Sequence, residues 1–363
     1  MKYFLLFSFT LMSLGLIQAQ TVNTDSSVTL DELLESISDN LNCTSITNVS
    51  SPINAALAGE NFSSFGTFQI QNEPDFPFES GIVLASHDVS NIETIGFSGS
   101  GNWGGDSDLD LLMQSNSINA TVIEFDFVPY RNQLQVDYLF ASNEYPTFVC
   151  NFSDTFAFII SGPGIPDVNP YNHDANPNTP DIDLDLGGLN IATVPGTNIP
   201  INPPNIHISN NCSAGTLGEF SEPQFYDNQS SGSNITDYSG QTVPLTAKAT
   251  VIPGQTYHIK LVVGDRSDTI FDSAVFIDAD SFEIGTIPED MPYDPSFANI
   301  LPSCWTTQSN ADYNITSSCS DSGDNYLQLN GGNYSIETAA VDVENEDAVE
   351  VSFDILNGCN DQA

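Results

Sequence analysis

Apolar positions recur every second residue along much of the chain, most clearly between Val122 and Gly164. Ile123, Phe125 and Phe127 alternate with Glu124 and Asp126. Leu134, Val136, Tyr138 and Phe140 share one face, and Phe156, Phe158 and Ile160 another. Period-two alternation rich in aromatic and β-branched residues predicts three half-buried strands. The segment from Pro129 to Asn132 reads as the turn between the first two, and Gly162 to Gly164 ends the third. The same signals predict strands in SITNVSS, FGTFQI and SGIVLAS, and later in TVPLTAKATV, TYHIKLVVGD and SAVFIDADSFEI.

Helical spacing stands out in TLDELLESISDNL, where Leu30, Leu33, Leu34, Ile37 and Leu41 fall on one side. Thr29 and Glu32 have the spacing of a capping box, so one short amphipathic helix is expected to pack on the sheet. Residues 166–204 are dense in Pro, Asn and Asp, which favour turns, with NIATVPGTNIPI and NIHIS as short strands. The expected fold is all-β, a sandwich or jelly-roll-like domain with a short N-terminal helix.

The divisions expected are a signal peptide over 1–19, the helix and its lead-in over 20–45, the β domain over 46–285, and a proline-rich linker over 286–302. In residues 303–363 a CW opening, a YLQL strand and an ETAAVDV…VEVSFDI pair resemble the opening of a second β-sandwich, a jelly-roll module of the laminin-G or MAM type. That piece has too few strands to close, and an open sheet edge invites aggregation. The full-length chain is therefore expected to continue toward a C-terminal anchoring segment.

The first twenty residues, MKYFLLFSFTLMSLGLIQAQ, pair one lysine with an apolar run and small residues, the pattern of a secretory signal. No other stretch is long and apolar enough to span a membrane. The expected location is secreted or cell-surface. Five basic residues stand against 48 acidic ones, a formal charge of −43. So few cations cannot neutralise a phosphate backbone, which excludes nucleic acid as a partner. Such a chain attracts cations, and Ca²⁺ is the abundant divalent one outside the cell; solubility alone is the competing reason for the charge. Forty per cent apolar residues, 23 of them Phe, suffice for a real core.

Three phrases of the central stretch also carry a resemblance: the EFDFVP strand, the FASNEYPTF loop and the FSDTFAFIISGPG strand. In this order they resemble the choice-of-anchor L domain of secreted, surface-attached proteins from Bacteroidota-type bacteria. FGTFQI with ESGIVLAS, and the later YHIKLVVGD and SAVFIDADSF, are similar to the same family, so the likeness runs from about Ile46 to Ile284. It implies an exported surface module and leaves the biochemical activity open.

Candidate chemistry is confined to carboxylates in loops. In GNWGGDSDLDLLM, Asp106, Asp108 and Asp110 are two apart after glycines; in a loop they could converge on one hard cation, in a strand they would line a wet face. Glu144 and Asp154 flank the Tyr145-Pro146 turn, and Asp265 and Asp268 follow a strand. The metal candidates are Asp106, Asp108, Glu144, Asp154 and Asp265, as ligands of a Ca²⁺ ion pinning loops at one end of the sandwich. Capping and Asx turns are the alternative reading of each. No catalytic signature is present: no HExxH, GxSxG or P-loop. His87 and His173 lie in polar turn-like stretches, and His207 and His258 in apparent strands. Trp103, Tyr145 and Tyr171 could stack on sugar rings if exposed, or serve as core residues.

The expected function is therefore a non-catalytic exported module for adhesion or for binding an extracellular glycan or protein. The alternative is an accessory or catalytic domain of an extracellular polysaccharide-degrading enzyme. Six cysteines in an exported chain read as disulfide material. A Cys150–Cys212 bridge would staple the insertion to the loop carrying Glu144; Cys43 with either partner is the competing pairing.

Overall fold

The computed structural model describes residues 21–37, 46–71, 76–92, 101–129, 132–166, 169–208, 212–227, 236 and 238–282, and four short strands beyond residue 300. The segments expected as signal peptide and linker, with Leu41, Cys43, Cys304, Cys319 and Cys359, lie outside the described residues. The late strands form two antiparallel ribbons, Thr306–Thr307 with Ile336–Glu337 and Tyr313–Thr316 with Tyr326–Leu329.

In the main body the strands are β1 Thr21–Asp25, β2 Thr47–Ser50, β3 Phe65–Gln71, β4 Ser80–Ala85, β5 Ser117–Phe127, β6 Gln133–Ser142 and β7 Thr155–Ser161. They continue with β8 Asn169–Tyr171, β9 Ile182–Leu184, β10 Leu189–Asn190, β11 Tyr226–Asp227, β12 Gly240–Thr242, β13 Leu245–Thr250, β14 Tyr257–Arg266 and β15 Ser273–Asp278. Three short helices intervene: α1 Leu30–Glu35, α2 Ala55–Ala58 and α3 Ser107–Met113.

Two antiparallel sheets result. One runs β1-β3-β4-β15-β6-β12-β11, with β13 also paired to β6; the other runs β10-β7-β14-β5-β2. The alternating residues meet between them: Leu134, Val136, Tyr138 and Phe140 on β6 face Ile123, Phe125 and Phe127 on β5 and Phe156, Phe158 and Ile160 on β7 in one buried cluster. This is the expected β-sandwich, with aligned inner faces interdigitating.

The strands are more buried than alternation predicts. Outside the larger sheet, Phe68, Phe76 and Phe276 pack edge to face and join Val83, Leu139 and Ala274 in a second cluster. Outside the smaller sheet, Leu109, Leu112 and Met113 of α3, with Tyr171 and Leu184 of the β8–β9 hairpin, cover Val122, Ala157, Ile159 and Val262. A strand buried on both faces reads as a continuous apolar run. The runs IVLA, FAFII, LVV and AVFI are those places.

Local chemistry explains the helices. Thr29 accepts from the Glu32 N–H, and the Glu32 carboxylate accepts from the Thr29 N–H, closing the capping box. Leu33, Leu34 and Ile37 enter the inter-sheet core, so α1 fills the sandwich edge as expected. The polar β1, which alternation does not mark, pairs along its whole length with β3. NIHIS is not a strand: Asn205 and Ile206 turn back onto Asn202, and His207 is held by the Gly218 carbonyl.

The Cys150–Cys212 bridge is present, with the two Cα atoms 5.3 Å apart and 62 residues between them in sequence. It ties the loop after β6 to the end of the insertion. Replacing both cysteines by serine should cost about 4 kcal/mol through restored chain entropy in the unfolded state. Urea unfolding of the oxidised wild type against the double variant measures it; a difference below about 1 kcal/mol would mean that the loop is held by other contacts.

Candidate functional site

Antiparallel register brings several strand ends to one place. Ser142 at the end of β6 pairs with Ser273 at the start of β15 and with Gly240 of β12. Thr155 opening β7 pairs with Gly264 of β14, Ser117 opening β5 with Arg266, and Ala85 ending β4 with Ala274. The loops 143–154 and 267–272 therefore leave the same end of the sandwich. Both carry acids.

Glu144, Asp154 and Asp265 are 1 % exposed, and Asp272 is 2 % exposed. Asp154 is the best held: its Oδ1 accepts the Arg266 N–H at 2.9 Å and its Oδ2 the Ser273 hydroxyl at 2.8 Å. Asp265 Oδ2 accepts from the Asn119 carboxamide at 3.1 Å. That contact depends on an irregularity in β5. The β14–β5 register slips by one residue between Val263 and Asp265, and Asn119 sits at φ 52°. An extra residue on one strand re-aims its neighbours, here setting Asn119 beside Asp265. The Asn119 side-chain oxygen Oδ1 in turn accepts the Trp103 backbone N–H. On the 143–154 loop, the Glu144 N–H is taken by the Ser142 hydroxyl, and the Asn143 N–H reaches the Asp272 carbonyl.

These bonds leave oxygens over. Glu144 Oε2, Asp265 Oδ1, Asp272 Oδ1 and the Ser153 hydroxyl are buried without a hydrogen-bond partner. Burial pushes the Glu144 carboxyl up, and repulsion from Asp154 and Asp268 pushes it further. Burial is also the first cause of the upward shifts of Asp272, reinforced by Asp154 and Asp268, and of Asp265, reinforced by Asp154 and Asp272 and relieved in part by Ser86 and Asn119. For Asp154 burial again leads, and the bonds from Arg266 and Ser273 recover part of it. Each carboxylate is thus short of positive charge. Arg266 offsets the charge of Asp154, and its Nη1 is turned to the Asn151 carbonyl.

Asp106 and Asp108 stand apart from this group. Asp106 caps α3, its Oδ1 accepting the N–H groups of Asp108 and Leu109. Lys260 reaches both acids, at 2.7 Å to Asp106 and 2.6 Å to Asp108. Burial pulls the Lys260 ammonium down, but bonds and charges from the two aspartates outweigh it and hold its pKa up. The loop-like GGDSDLDLLM is therefore a helix start, legible in the N-cap aspartate and in Leu109, Leu112 and Met113 at helical spacing. Among the described residues, no group of three or more His, Cys, Asp or Glu side chains is placed to hold a metal ion.

Trp103, Tyr145 and Tyr171, at 4 %, 2 % and 1 % exposed, are core residues rather than stacking platforms. The Trp103 indole N–H donates to the Ala120 carbonyl, and Tyr145 packs on Tyr226 with ring centroids 4.9 Å apart. The surface aromatics are others. Half-buried Phe148 lies on Phe271 with centroids 4.5 Å apart, and Phe152 meets Phe148 edge-on. Sequence reading missed Asp272 as well; it closes the same DRSDTIFD loop as Asp265 and Asp268.

His87 lies in the bend after β4, as its polar stretch suggests, and is buried beside this end. Its Nδ1 faces the Asp88 carbonyl, which can only accept, so Nδ1 carries the proton and Nε2 accepts from the Tyr238 hydroxyl. Burial pushes its pKa down to about 4. A base depressed by folding contributes stability that is full above its ordinary value near 6.5 and is lost as pH falls toward about 4. Between about pH 7 and pH 4, wild type should lose about 3 kcal/mol more than His87→Gln. Urea unfolding at the two pH values checks this; equal losses would mean that the imidazole is already charged in the fold.

A family-level sequence comparison matches the choice-of-anchor L domain over residues 21–283. No curated protein and no solved structure matches the chain. The matched span opens on β1, closes just past β15 and includes every strand of both sheets. The chain belongs to the choice-of-anchor L domain family, a family of surface-associated modules.

Proposed function

We propose that this is an exported, non-catalytic surface module that binds an extracellular glycan or protein ligand, with Ca²⁺ held by Glu144, Asp154 and Asp265 stabilising its fold. The observation that carries the reading is the loop surface over the carboxylate end. Phe271 is held at φ 68° and Ser267 at φ 69°, in the left-handed region that costs a bulky residue about 1–2 kcal/mol. That conformation accompanies Phe271 stacked on Phe148, with Ile270 beside it 45 % exposed. Loops held on a rigid sandwich are the usual place for recognition, and aromatic faces suit both sugar rings and protein anchors.

The polysaccharide-degrading alternative draws no support from these acids. A glycosidase needs two carboxyl groups touching the sugar, and Glu144, Asp154, Asp265 and Asp272 are sealed from solvent. A cation among them would act on the fold rather than on a ligand.

Glycan and extracellular-protein arrays test the reading. A ligand bound by wild type should bind at least about tenfold more weakly to Ile270→Asp, a loss of roughly 1.4 kcal/mol, with little change in melting temperature. Binding untouched by Ile270→Asp and Phe148→Ala would move the ligand elsewhere, and release of products from a polysaccharide panel would make the module an enzyme. For the cation, millimolar CaCl₂ should raise the melting temperature more than NaCl of equal ionic strength, since binding at a hundredfold excess over Kd contributes about 2.7 kcal/mol. Equal shifts would leave general screening alone.

A further inference from the structure

We infer that one hard divalent cation of the Ca²⁺ type is seated among the carboxylates of Glu144, Asp154, Asp265 and Asp272, and that it joins the loop after β6 to the loop before β15. The inference deepens the calcium reading above: it adds Asp272, leaves out Asp106 and Asp108, and gives the ion a mechanical role.

Acid clusters in loops are commonplace, so the argument rests on what these acids lack. Three of the four have a buried oxygen with no hydrogen-bond partner, and the Ser153 hydroxyl is in the same condition. An unsatisfied buried carboxylate is costly in a way that an exposed one is not. Away from this end a single acid oxygen among the described residues, Asp137 Oδ1, is buried without a partner, so the three here stand out by being gathered in one place. Asp106 has two backbone donors and Lys260. Among the described residues at the strand ends the nearby cation is Arg266, which acts on Asp154, against four sealed carboxylates and the half-buried Asp268. Something positive completes the set.

The donor set selects the ion. All the available ligands are oxygens, and neither the described disulfide nor His87, whose two nitrogens are occupied, offers a soft or imidazole ligand. Carboxylate oxygen suits Ca²⁺, Mg²⁺ and Mn²⁺ rather than Zn²⁺ or Cu²⁺. Mg²⁺ keeps several of its waters, for which a sealed site has little room, whereas Ca²⁺ takes six to eight oxygens in flexible geometry. Closing the cage requires the loop-borne Glu144 and Asp272 to turn toward Asp265 on β14 and Asp154 at the start of β7. The two loops are already in contact through the Asn143 N–H and the Asp272 carbonyl at 3.1 Å. An ion drawn between them would fix the Phe148–Phe271 surface that they carry.

The test uses the whole exported chain, stripped with chelator and titrated with CaCl₂ by calorimetry, with MgCl₂ as a second arm. The expected result is one ion per chain and Ca²⁺ bound at least about tenfold more tightly than Mg²⁺. Glu144→Gln and Asp272→Asn keep side-chain size while removing one charge. Each should weaken Ca²⁺ binding by about tenfold or more, yet melt higher than wild type in chelator, because the fold no longer buries a carboxyl group that ionises freely once unfolded. A residue of merely structural importance would lower both. Asp183→Asn, on an exposed strand of the insertion, should change neither. Stabilisation by Ca²⁺ that survives both charge-removing variants would place the ion elsewhere and overturn the cage while leaving the broader calcium reading standing. No calcium heat and no melting shift beyond that of NaCl would overturn both, and the ligand arrays would still judge the surface by itself.

Discussion

Four carboxylates sealed at one end of a β-sandwich, with one guanidinium nearby, are the constraint around which this protein is arranged. Placing charge there opposes folding. The rest of the structure must hold the strand ends in place against that opposition. Asp154 shows how part of it is met, with a backbone N–H from β14 and a hydroxyl from β15 on its two oxygens. Ser86 extends the same stitching, since its backbone N–H and hydroxyl both engage Ser273. Both sheets thus meet at Asp154, which immediately precedes β7 in one and binds Ser273 in the other.

Apolar burial supplies the opposing stability. Each sheet has a second buried face, the larger under Phe68, Phe76 and Phe276 and the smaller under α3 and the β8–β9 hairpin. Central strands packed on both faces are hard to shift, so their ends present side chains in fixed positions. The slip at Asn119 and the Cys150–Cys212 bridge then adjust what those ends present. The first sets a carboxamide beside Asp265. The second anchors the loop that carries Glu144 and Phe148.

Much of this was legible in the amino-acid sequence because it rests on local chemistry. Ile123, Phe125 and Phe127 alternate because one face of β5 meets the core, and Thr29 with Glu32 marks a helix start by mutual hydrogen bonding. Glu144, Asp154 and Asp265 lie at one end because strand–loop–strand connectivity puts them there. The remainder depends on packing from a distance. Whether Trp103, Tyr145 and Tyr171 are exposed is decided by Phe62, Tyr226 and the insertion. Asp106 and Asp108 resembled loop ligands until Lys260, more than a hundred residues later, took them. Asp272 drew no notice because its burial comes from the neighbouring loop. The strand TVNTD is polar apart from Val22 and is recruited by its ladder to β3 and by Val22 in the second apolar cluster.

The charge deficit at the sandwich end is the centre of the account, and a crystal structure grown with millimolar Ca²⁺ examines it directly. The account predicts one ion peak with oxygens of Glu144, Asp154, Asp265 and Asp272 at about 2.3–2.6 Å, the range for Ca²⁺–oxygen bonds. Carboxyl groups hydrogen-bonded to one another as shared protons, with no ion between them in the same crystals, would contradict it.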